Sequence, residues 1–312
     1  MGELLAVCSL LCFSGNVLLL NAVTRRVKQE IGFLIALATN VGFALLLVIG
    51  QYVVLARPFD LQWDAFGYFL LGGLLTTYLG RWFFFLSVRN IGPTRASSMQ
   101  IANPVFAAIA GWLLLSETLS WSAIGFIGAV LIGLFLTTRV PSRDLEPTAI
   151  VPGEAIPTPP ERRRASGLPM RDVALALFGA LAYGLGNVAR GAGVREWEAP
   201  IFGSLVGAAA GMTVFLLLHT DIRSVVADIR RSDRVGVWMW VLSGVITISA
   251  QMCLIAATIS IPVAIAVVIA AAIPVVIIPI SLILLRNTEN ITAATGIGAL
   301  IIFAGVAGLL LT

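Results

Sequence analysis

The chain has 312 residues, of which 59% are hydrophobic and 12% are charged, with a formal net charge of +4. A typical soluble domain is about 45–50% apolar and about 25% charged. This composition leaves too little polar surface to cover a core of that size in water. It therefore excludes an ordinary soluble protein and indicates an integral membrane protein.

Ten apolar windows follow one another along the chain. A hydrocarbon core about 30 Å thick is crossed by about 20 residues of helix. Strands of a membrane barrel would alternate over about ten residues, and runs such as VAIAVVIAAAIPVVIIPISLILL do not alternate. The sequence therefore predicts an all-α membrane protein with ten transmembrane helices. The windows are 4–22, 31–55, 65–87, 96–115, 121–138, 172–192, 200–218, 235–257, 262–285 and 291–311.

A polar segment from Arg139 to Asp172 separates the first five windows from the last five, and it is rich in proline and charge. Such a composition predicts a flexible linker. We therefore expect a first five-helix repeat over 1–138, a polar linker over 139–171 and a second five-helix repeat over 172–312. The first window has no Lys or Arg before it, unlike a cleaved signal peptide, and is interpreted as a retained helix.

The two halves resemble each other at an offset of about 170 residues. Gly15-Asn16-Val17 matches Gly186-Asn187-Val188, Pro104 matches Pro274, and Arg81 falls opposite Gln251. Because each half has an odd number of spans, the second half enters the membrane from the opposite side. This is the inverted-repeat arrangement of many secondary transporters.

Basic residues are distributed unevenly between the two sets of connections. The connections after the first, third, fifth, seventh and ninth helices carry 16 of the 20 Lys and Arg residues. The opposite side carries Arg57, Arg190 and Arg195, and Arg81 lies within the third helix. Because Lys and Arg accumulate in cytoplasmic connections, we expect a cytoplasmic linker and external termini, in the plasma (inner) membrane of a bacterium. Solvated loops of no further meaning are compatible with the same charge runs.

The fourth and fifth windows carry a recognisable pattern. The segment NPVFAAIAGWLLLSETLS, Asn103 to Ser120, followed by the glycine-spaced WSAIGFIGAVLIGLFL, resembles the drug/metabolite transporter superfamily, and more narrowly its ten-helix EamA-type branch. The preceding RNIGPTRASSMQ is similar to that family's entry into the fourth helix. The resemblance implies a transporter of metabolites. In the second half, Arg286 and Asn287 stand where the equivalent turn is expected.

Pro104 predicts a kink in the fourth helix, because proline lacks a backbone donor and clashes with the preceding turn. Pro274 predicts the same in the ninth helix. In hydrocarbon, such a break is tolerated only where neighbours or a water-filled cavity satisfy the freed carbonyl group. Asn103 adds polar capacity beside the first break. We expect Glu117, at the membrane edge, to cap the fifth helix through its N-terminal amides rather than to contact substrate.

Polar side chains within a membrane usually face the bundle interior or a water-filled cavity. Arg81 can point into such a cavity, where its planar fork suits a carboxylate or phosphate, or snorkel to the interface. Asn16 and Asn187 can face one another across a central path, or hold helices together through hydrogen bonds. The predicted substrate-binding residues are Asn16, Tyr78, Arg81, Gln100, Asn103, Tyr183, Asn187 and Gln251.

No Asp or Glu lies deep within any window. A proton-coupled exporter of cationic drugs needs such a carboxylate, so cationic drugs are disfavoured, while neutral, zwitterionic and anionic metabolites stay open. The three cysteines lack the spacing of a metal site. The single histidine, His219, ends the seventh window, and no GxxxxGK[ST] motif is present. We therefore predict no enzymatic activity, no catalytic residue, no metal and no cofactor.

The sequence predicts a secondary transporter, either an exporter or a facilitator and exchanger, of small polar metabolites such as amino acids. Alternating access would occur around a cavity lined by helices 1, 3, 4, 6, 8 and 9. The alternatives are a carrier of lipid-linked or nucleotide sugars, which would need more basic residues in the spans, a non-transporting scaffold and an intramembrane enzyme. The expected partners are the substrate and the lipid bilayer, without nucleic acid. The GxxxG steps of Gly203, Gly207 and Gly211 suit packing within the chain or a homodimer.

Overall fold

The structure is a computed structural model. It describes residues 1–23, 27, 29–54, 60–91, 93–138, 170–218, 229, 232–284 and 293–311. Within these ranges the chain is helical and contains no strand. Eight helical segments are long and apolar enough to cross a membrane, and two shorter apolar helices lie at Trp121–Thr137 and Thr295–Leu310. The prediction of an all-α membrane protein is confirmed, and these ten segments coincide with the ten predicted windows.

The first half contains the first five of these segments, and the second, third and fourth are subdivided. A π-helical turn, Gly50–Val54, extends the second span, and a π-helical segment, Leu74–Gly80, joins the two helices of the third span. The α-helices are α1 (Gly2–Val23), α2 (Gln29–Ile49), α3 (Trp63–Gly73), α4 (Arg81–Ile91), α5 (Pro93–Gln100), α6 (Asn103–Leu115) and α7 (Trp121–Thr138).

The second half has the same succession of spans. Its α-helices are α8 (Met170–Glu196), α9 (Pro200–Leu218), α10 (Arg234–Ala257), α11 (Val263–Ala271), α12 (Ile273–Leu284) and α13 (Ala293–Leu310). The linker and the predicted turn at Arg286 and Asn287 lie outside the described residues. The assignment of domain boundaries to 1–138, 139–171 and 172–312 therefore stays a prediction.

The fourth and ninth spans are both interrupted beside their prolines. Helices α5 and α6 meet at residues 101–102, and Pro104 lies in the first turn of α6. Helices α11 and α12 meet at Ala272, and Pro274 is the second residue of α12. Proline fits the first turn of a helix because the amide donors there have no intrahelical acceptor. The predicted kinks therefore take the form of one helix ending and another beginning.

The first and eighth spans, from opposite halves, pack side by side in opposite directions. The start of α1 lies against the end of α10, since a Cβ placed on Gly2 would be 3.0 Å from the carbonyl oxygen of Ala257. Further along, the hydroxyl of Ser243 in α10 donates to Oδ1 of Asn16 in α1 at 2.6 Å.

The third and sixth spans repeat this relationship with the halves exchanged. A Cβ on Gly72 of α3 would lie 2.8 Å from the carbonyl oxygen of Gly186 in α8. Towards the other end of the pair, a Cβ on Gly80 would lie 2.9 Å from the ring of Tyr183. Reciprocal pairing of this kind is the packing that two copies of one unit with opposite orientations would produce.

The glycines of α9 are used for packing within the chain. Gly203 lies against the ring of Phe69, and Gly211 lies against Thr77 of the π-helical segment. Between them, Gly207 contacts Gly73 at the end of α3. These glycines therefore let α9 approach the third span closely. A homodimer stays a prediction.

Apolar side chains fill the interior and also cover much of the outside. The largest buried apolar cluster joins α1, α7 and α10 to α13 and includes the fully buried Phe13, Ile269 and Ile302. On the outside, large apolar side chains such as those of Trp112 and Trp121 are exposed. An extensive exposed apolar surface indicates a lipid environment.

The connection between α6 and α7 differs from the prediction. Ser116, with a φ of 53°, adopts the left-handed conformation that ends α6. The side chain of Glu117 folds back over α6, since a Cβ on Gly111 would lie 2.5 Å from its Oε2. It therefore caps α11 instead of α7, and the hydroxyl of Ser120 accepts from the N–H of Ala123 at the start of α7. The predicted capping of the fifth helix by Glu117 is wrong because the left-handed residue reverses the chain direction before it.

Candidate functional site

A cavity of about 80 Å³ lies among helices of both halves. A single water needs about 10–15 Å³, so the cavity has room for several waters or for a small solute. Its polar lining residues are Thr76, Gln100, Asn103, Thr137, Tyr183, Asn187, Arg190 and Gln251. Its apolar lining residues are Phe13, Ile101, Pro104, Leu134, Leu254, Val267, Ala270, Ala271 and Ile273.

Both interrupted spans reach the cavity at their breaks. Gln100 is the last residue of α5, and Ala270 lies one residue before the end of α11. The carbonyl group of each would ordinarily accept from the residue four positions later, but these residues are Pro104 and Pro274, which have no N–H. Two backbone acceptors without their usual helical donor therefore belong to residues that line the cavity.

Arg190 is the one charged side chain among the described lining residues. The distribution of basic residues in the sequence placed it in an external connection. It lies within α8, which continues to Glu196, and is only 5% exposed. That assignment is wrong because Arg190 is buried within the helix, six residues before its end. The window 172–192 already contains position 190, which is the sequence signal for an intramembrane arginine.

The Arg190 guanidinium is closely surrounded. Its Nη1 donates to Oε1 of Gln251 in α10 at 2.6 Å. A Cβ on Gly72 would lie 2.6 Å from its Cγ, and a Cβ on Gly207 would lie 3.1 Å from its Nη2. The absence of side chains at these two glycines therefore makes room for the Arg190 side chain between α3 and α9.

Five of the predicted substrate-binding residues line the cavity together: Gln100, Asn103, Tyr183, Asn187 and Gln251. Two of their polar atoms are buried without a hydrogen-bond partner among the described residues. These are Nε2 of Gln100 and Oδ1 of Asn103, on either side of the α5–α6 break. One donor and one acceptor, both buried, are therefore left unpaired among the described residues beside this break.

The other three predicted binding residues lie elsewhere. Asn16 is fully buried and bonded to Ser243 at the α1–α10 interface. The Tyr78 ring packs 5.9 Å from that of Trp82, between centroids. Of the two alternatives for these asparagines, Asn16 takes the hydrogen bond between helices, while Asn187 lines the cavity.

The guanidinium of Arg81 packs over the ring of Phe33, with its Cζ 4.3 Å from the ring centroid. Arg81 is not among the residues that line the cavity. The arginine that lines the cavity is therefore Arg190 of the sixth span, and not Arg81 of the third span.

All six helices that were predicted to line the cavity do so. The fifth span, α7, lines it as well. Thr76 of the third span and Thr137 of α7 also line the cavity and were not predicted from the sequence. Their hydroxyls donate to carbonyl oxygens of their own helices, Thr76 to Gly72 at 2.8 Å and Thr137 to Leu134 at 2.7 Å. Each oxygen thus keeps capacity to accept a hydrogen bond.

The apolar helices define a multi-pass membrane protein, and the cavity among them is lined by one cation and several amides. Residues 1–139 match the model of the EamA-like transporter family. The match confirms the resemblance to the drug/metabolite transporter superfamily over these residues, and the narrower ten-helix branch stays a prediction. The match indicates a membrane transporter of small molecules.

The whole chain also has a structural relative. A solved chain, described only as a protein in a crystal structure, is similar with a TM-score of 0.67. The match covers 99% of this chain and 96% of the other at 16% identity, and at that identity it shows the fold alone. Among curated proteins, none matches this chain.

Proposed function

We propose that this protein is a secondary transporter that moves small polar metabolites, such as amino acids, by alternating access around the central cavity. The observation that carries the proposal is the position of the cavity beside the α5–α6 and α11–α12 breaks. In many secondary transporters, interrupted helices at an interface between repeats form the substrate site, and one repeat rocks against the other.

The chemistry of the lining favours polar solutes without a net positive charge. Arg190 contributes a cation, and Gln100, Asn103, Asn187 and Gln251 contribute amide donors and acceptors. The described lining residues include no carboxylate that would attract a cation. A nucleotide sugar carries at least two negative charges on its diphosphate, whereas one guanidinium lines this cavity. We therefore favour small metabolites over the carriers of nucleotide or lipid-linked sugars.

The same proposal includes an orientation in the bacterial inner membrane, with a cytoplasmic linker and external termini. Since Arg190 lies within a span, only Arg57 and Arg195 stay on the proposed external side. The uneven distribution of Lys and Arg between the two sides is the observation that supports this orientation.

Counterflow in proteoliposomes tests the transport function. Vesicles containing the purified protein are loaded with an excess of one unlabelled metabolite and diluted into a trace of the same metabolite in labelled form. A panel of amino acids, keto acids and neutral polar solutes is used. We expect transient accumulation of label for at least one class, and none in protein-free vesicles. A folded protein that exchanges no member of the panel contradicts the proposal.

The helix breaks provide a second test. Pro104→Ala restores a backbone donor opposite the carbonyl group of Gln100, so α5 and α6 can join into one continuous helix. We expect slower counterflow with little loss of thermal stability. Pro200→Ala is the matched control, because Pro200 is the first residue of α9 and interrupts no span. Equal rates for the two variants would argue against a role of the break in transport.

A further inference from the structure

We propose that Arg190, positioned by Gln251, binds the carboxylate group of the transported solute. This inference rests on the proposed transport function and names its substrate class: small solutes with one carboxylate, whether or not they also carry an ammonium group. A carboxylate offers two oxygens in the geometry that a guanidinium fork can hold with two parallel hydrogen bonds.

The buried guanidinium of Arg190 lacks an anionic partner among the described residues. Its guanidinium has five N–H donors, and the described residues provide one hydrogen bond to it, from Nη1 to the neutral amide of Gln251. Its Nε is buried without a partner among those residues. A buried charge is costly unless it is paired and hydrogen-bonded. An entering carboxylate would supply both the charge and the acceptors.

No side chain in the described part of the chain neutralises Arg190. The buried carboxylate of Glu117 is occupied by Arg195 and by the N–H of Val263. Gln251 has the shape of a glutamate but carries no charge, so it can hold the guanidinium in place without satisfying it. The charge therefore stays available to a ligand inside the cavity.

The charge of the lining favours a solute with one carboxylate, and other groups near the helix breaks can accept hydrogen bonds from an ammonium group of the same solute. Arg190 is the one charged residue among the described lining residues, so a solute with one carboxylate matches the charge of the lining. Near the helix breaks, Oδ1 of Asn103 lacks a partner among the described residues, and the carbonyl groups of Gln100 and Ala270 lack their usual helical donors. These acceptors can receive an ammonium group, so an amino acid and its keto acid share the feature that Arg190 recognises.

The test uses counterflow with analogues that share one side chain: leucine, 4-methyl-2-oxopentanoate, leucinamide and 3-methylbutylamine. We expect exchange of the first two and none of the last two. If another solute of the panel is the better substrate, its own amide and its decarboxylated amine replace these analogues. Exchange of the amide or the amine at the rate of the parent acid would overturn the inference while leaving the transport function intact. Failure of every solute to exchange would instead remove the transport function, and the inference with it.

Two variants and one control test whether Arg190 is the residue that recognises the carboxylate. Arg190→Gln should weaken the apparent affinity for carboxylates by about 10- to 100-fold, as expected for loss of a charged hydrogen bond. Arg171→Gln, at the exposed start of the same helix, should leave it unchanged. Gln251→Glu places an internal carboxylate against Arg190, so it should raise the melting temperature and abolish exchange of acids. Unchanged affinity in either Arg190→Gln or Gln251→Glu would contradict the assignment.

Should Arg190→Gln fail to fold, the parent protein still provides a measurement. Thermal unfolding in detergent is followed with increasing 4-methyl-2-oxopentanoate or with 4-methylpentanamide. We expect the acid to raise the melting temperature and the neutral amide to leave it unchanged, because only a ligand that binds the folded state stabilises it. Equal shifts from both compounds would overturn the inference.

Discussion

Both carboxylate oxygens of Glu117 accept the backbone N–H of Val263, at 3.0 and 3.1 Å. Val263 begins α11 in the second half, whereas Glu117 follows α6 in the first half. Arg195, near the end of α8, donates to the same carboxylate. One side chain therefore joins the two halves near the end of the helix that carries Arg190.

Removal of this contact should destabilise the protein. In Glu117→Ala, the N-terminal amide of α11 loses its cap and Arg195 loses its partner, and we expect a loss of about 1–3 kcal/mol. Glu117→Gln keeps an oxygen acceptor but removes the charge, so its loss should be smaller. The measurement is thermal unfolding in detergent.

Glu198→Gln is the matched control for these variants, since Glu198 is exposed between α8 and α9. Its melting temperature should equal that of the parent, because surface substitutions away from specific contacts usually have small effects. A Glu117→Ala protein as stable as this control would show that the contact between the halves contributes nothing.

A second prediction concerns the close packing around Arg190. In Gly72→Ala, the added Cβ would lie 2.6 Å from Cγ of Arg190 and 2.8 Å from the carbonyl oxygen of Gly186. Because one of these atoms belongs to the backbone, α3 and α8 must separate, at a cost of about 1–3 kcal/mol. We expect a lower melting temperature together with weaker counterflow.

Gly67→Ala in the same helix provides the comparison, since no heavy atom lies within 4 Å of its added Cβ. Alanine has a higher helix propensity than glycine by about 0.8–1 kcal/mol. This variant should therefore be as stable as the parent or more stable, with normal counterflow. The same loss in both variants would mean that helix propensity or lipid contact, instead of packing at Arg190, decides the outcome.

The equivalent asparagines of the two halves should have different roles. Asn16→Ala leaves the buried hydroxyl of Ser243 without its acceptor, and we expect a loss of about 1–3 kcal/mol in stability. Asn187 is half-buried at the cavity wall, so Asn187→Ala should reduce counterflow while leaving the melting temperature almost unchanged. Thermal unfolding and counterflow are measured for both variants, and a reversed pattern would contradict the placement of the two residues.

Orientation can be tested by labelling. Cys8, Cys12 and Cys253 are first replaced by alanine, and a single cysteine is then introduced by Gly153→Cys in the linker. A thiol reagent that cannot cross the membrane should label this position in inside-out vesicles and leave it unlabelled in intact cells. Labelling in intact cells would place the linker outside and reverse the proposed topology.

The sequence by itself determined that the chain crosses a membrane as helices, and nearly where. Apolar windows of about 20 residues report a local requirement, namely that each backbone amide in hydrocarbon be bonded within its own helix. The breaks at Pro104 and Pro274 were predictable for the same local reason, because proline cannot donate to the residue four positions before it.

Only the tertiary structure decided which polar groups meet. Arg81 and Arg190 are both arginines near the end of a span, yet Arg81 packs over Phe33 whereas Arg190 reaches Gln251 at the cavity. Glu117 caps a helix 146 positions further along the chain instead of the next one. These placements depend on which helices become neighbours and on the glycines that let the helices approach. They cannot be deduced from the sequence around Arg81, Arg190 or Glu117.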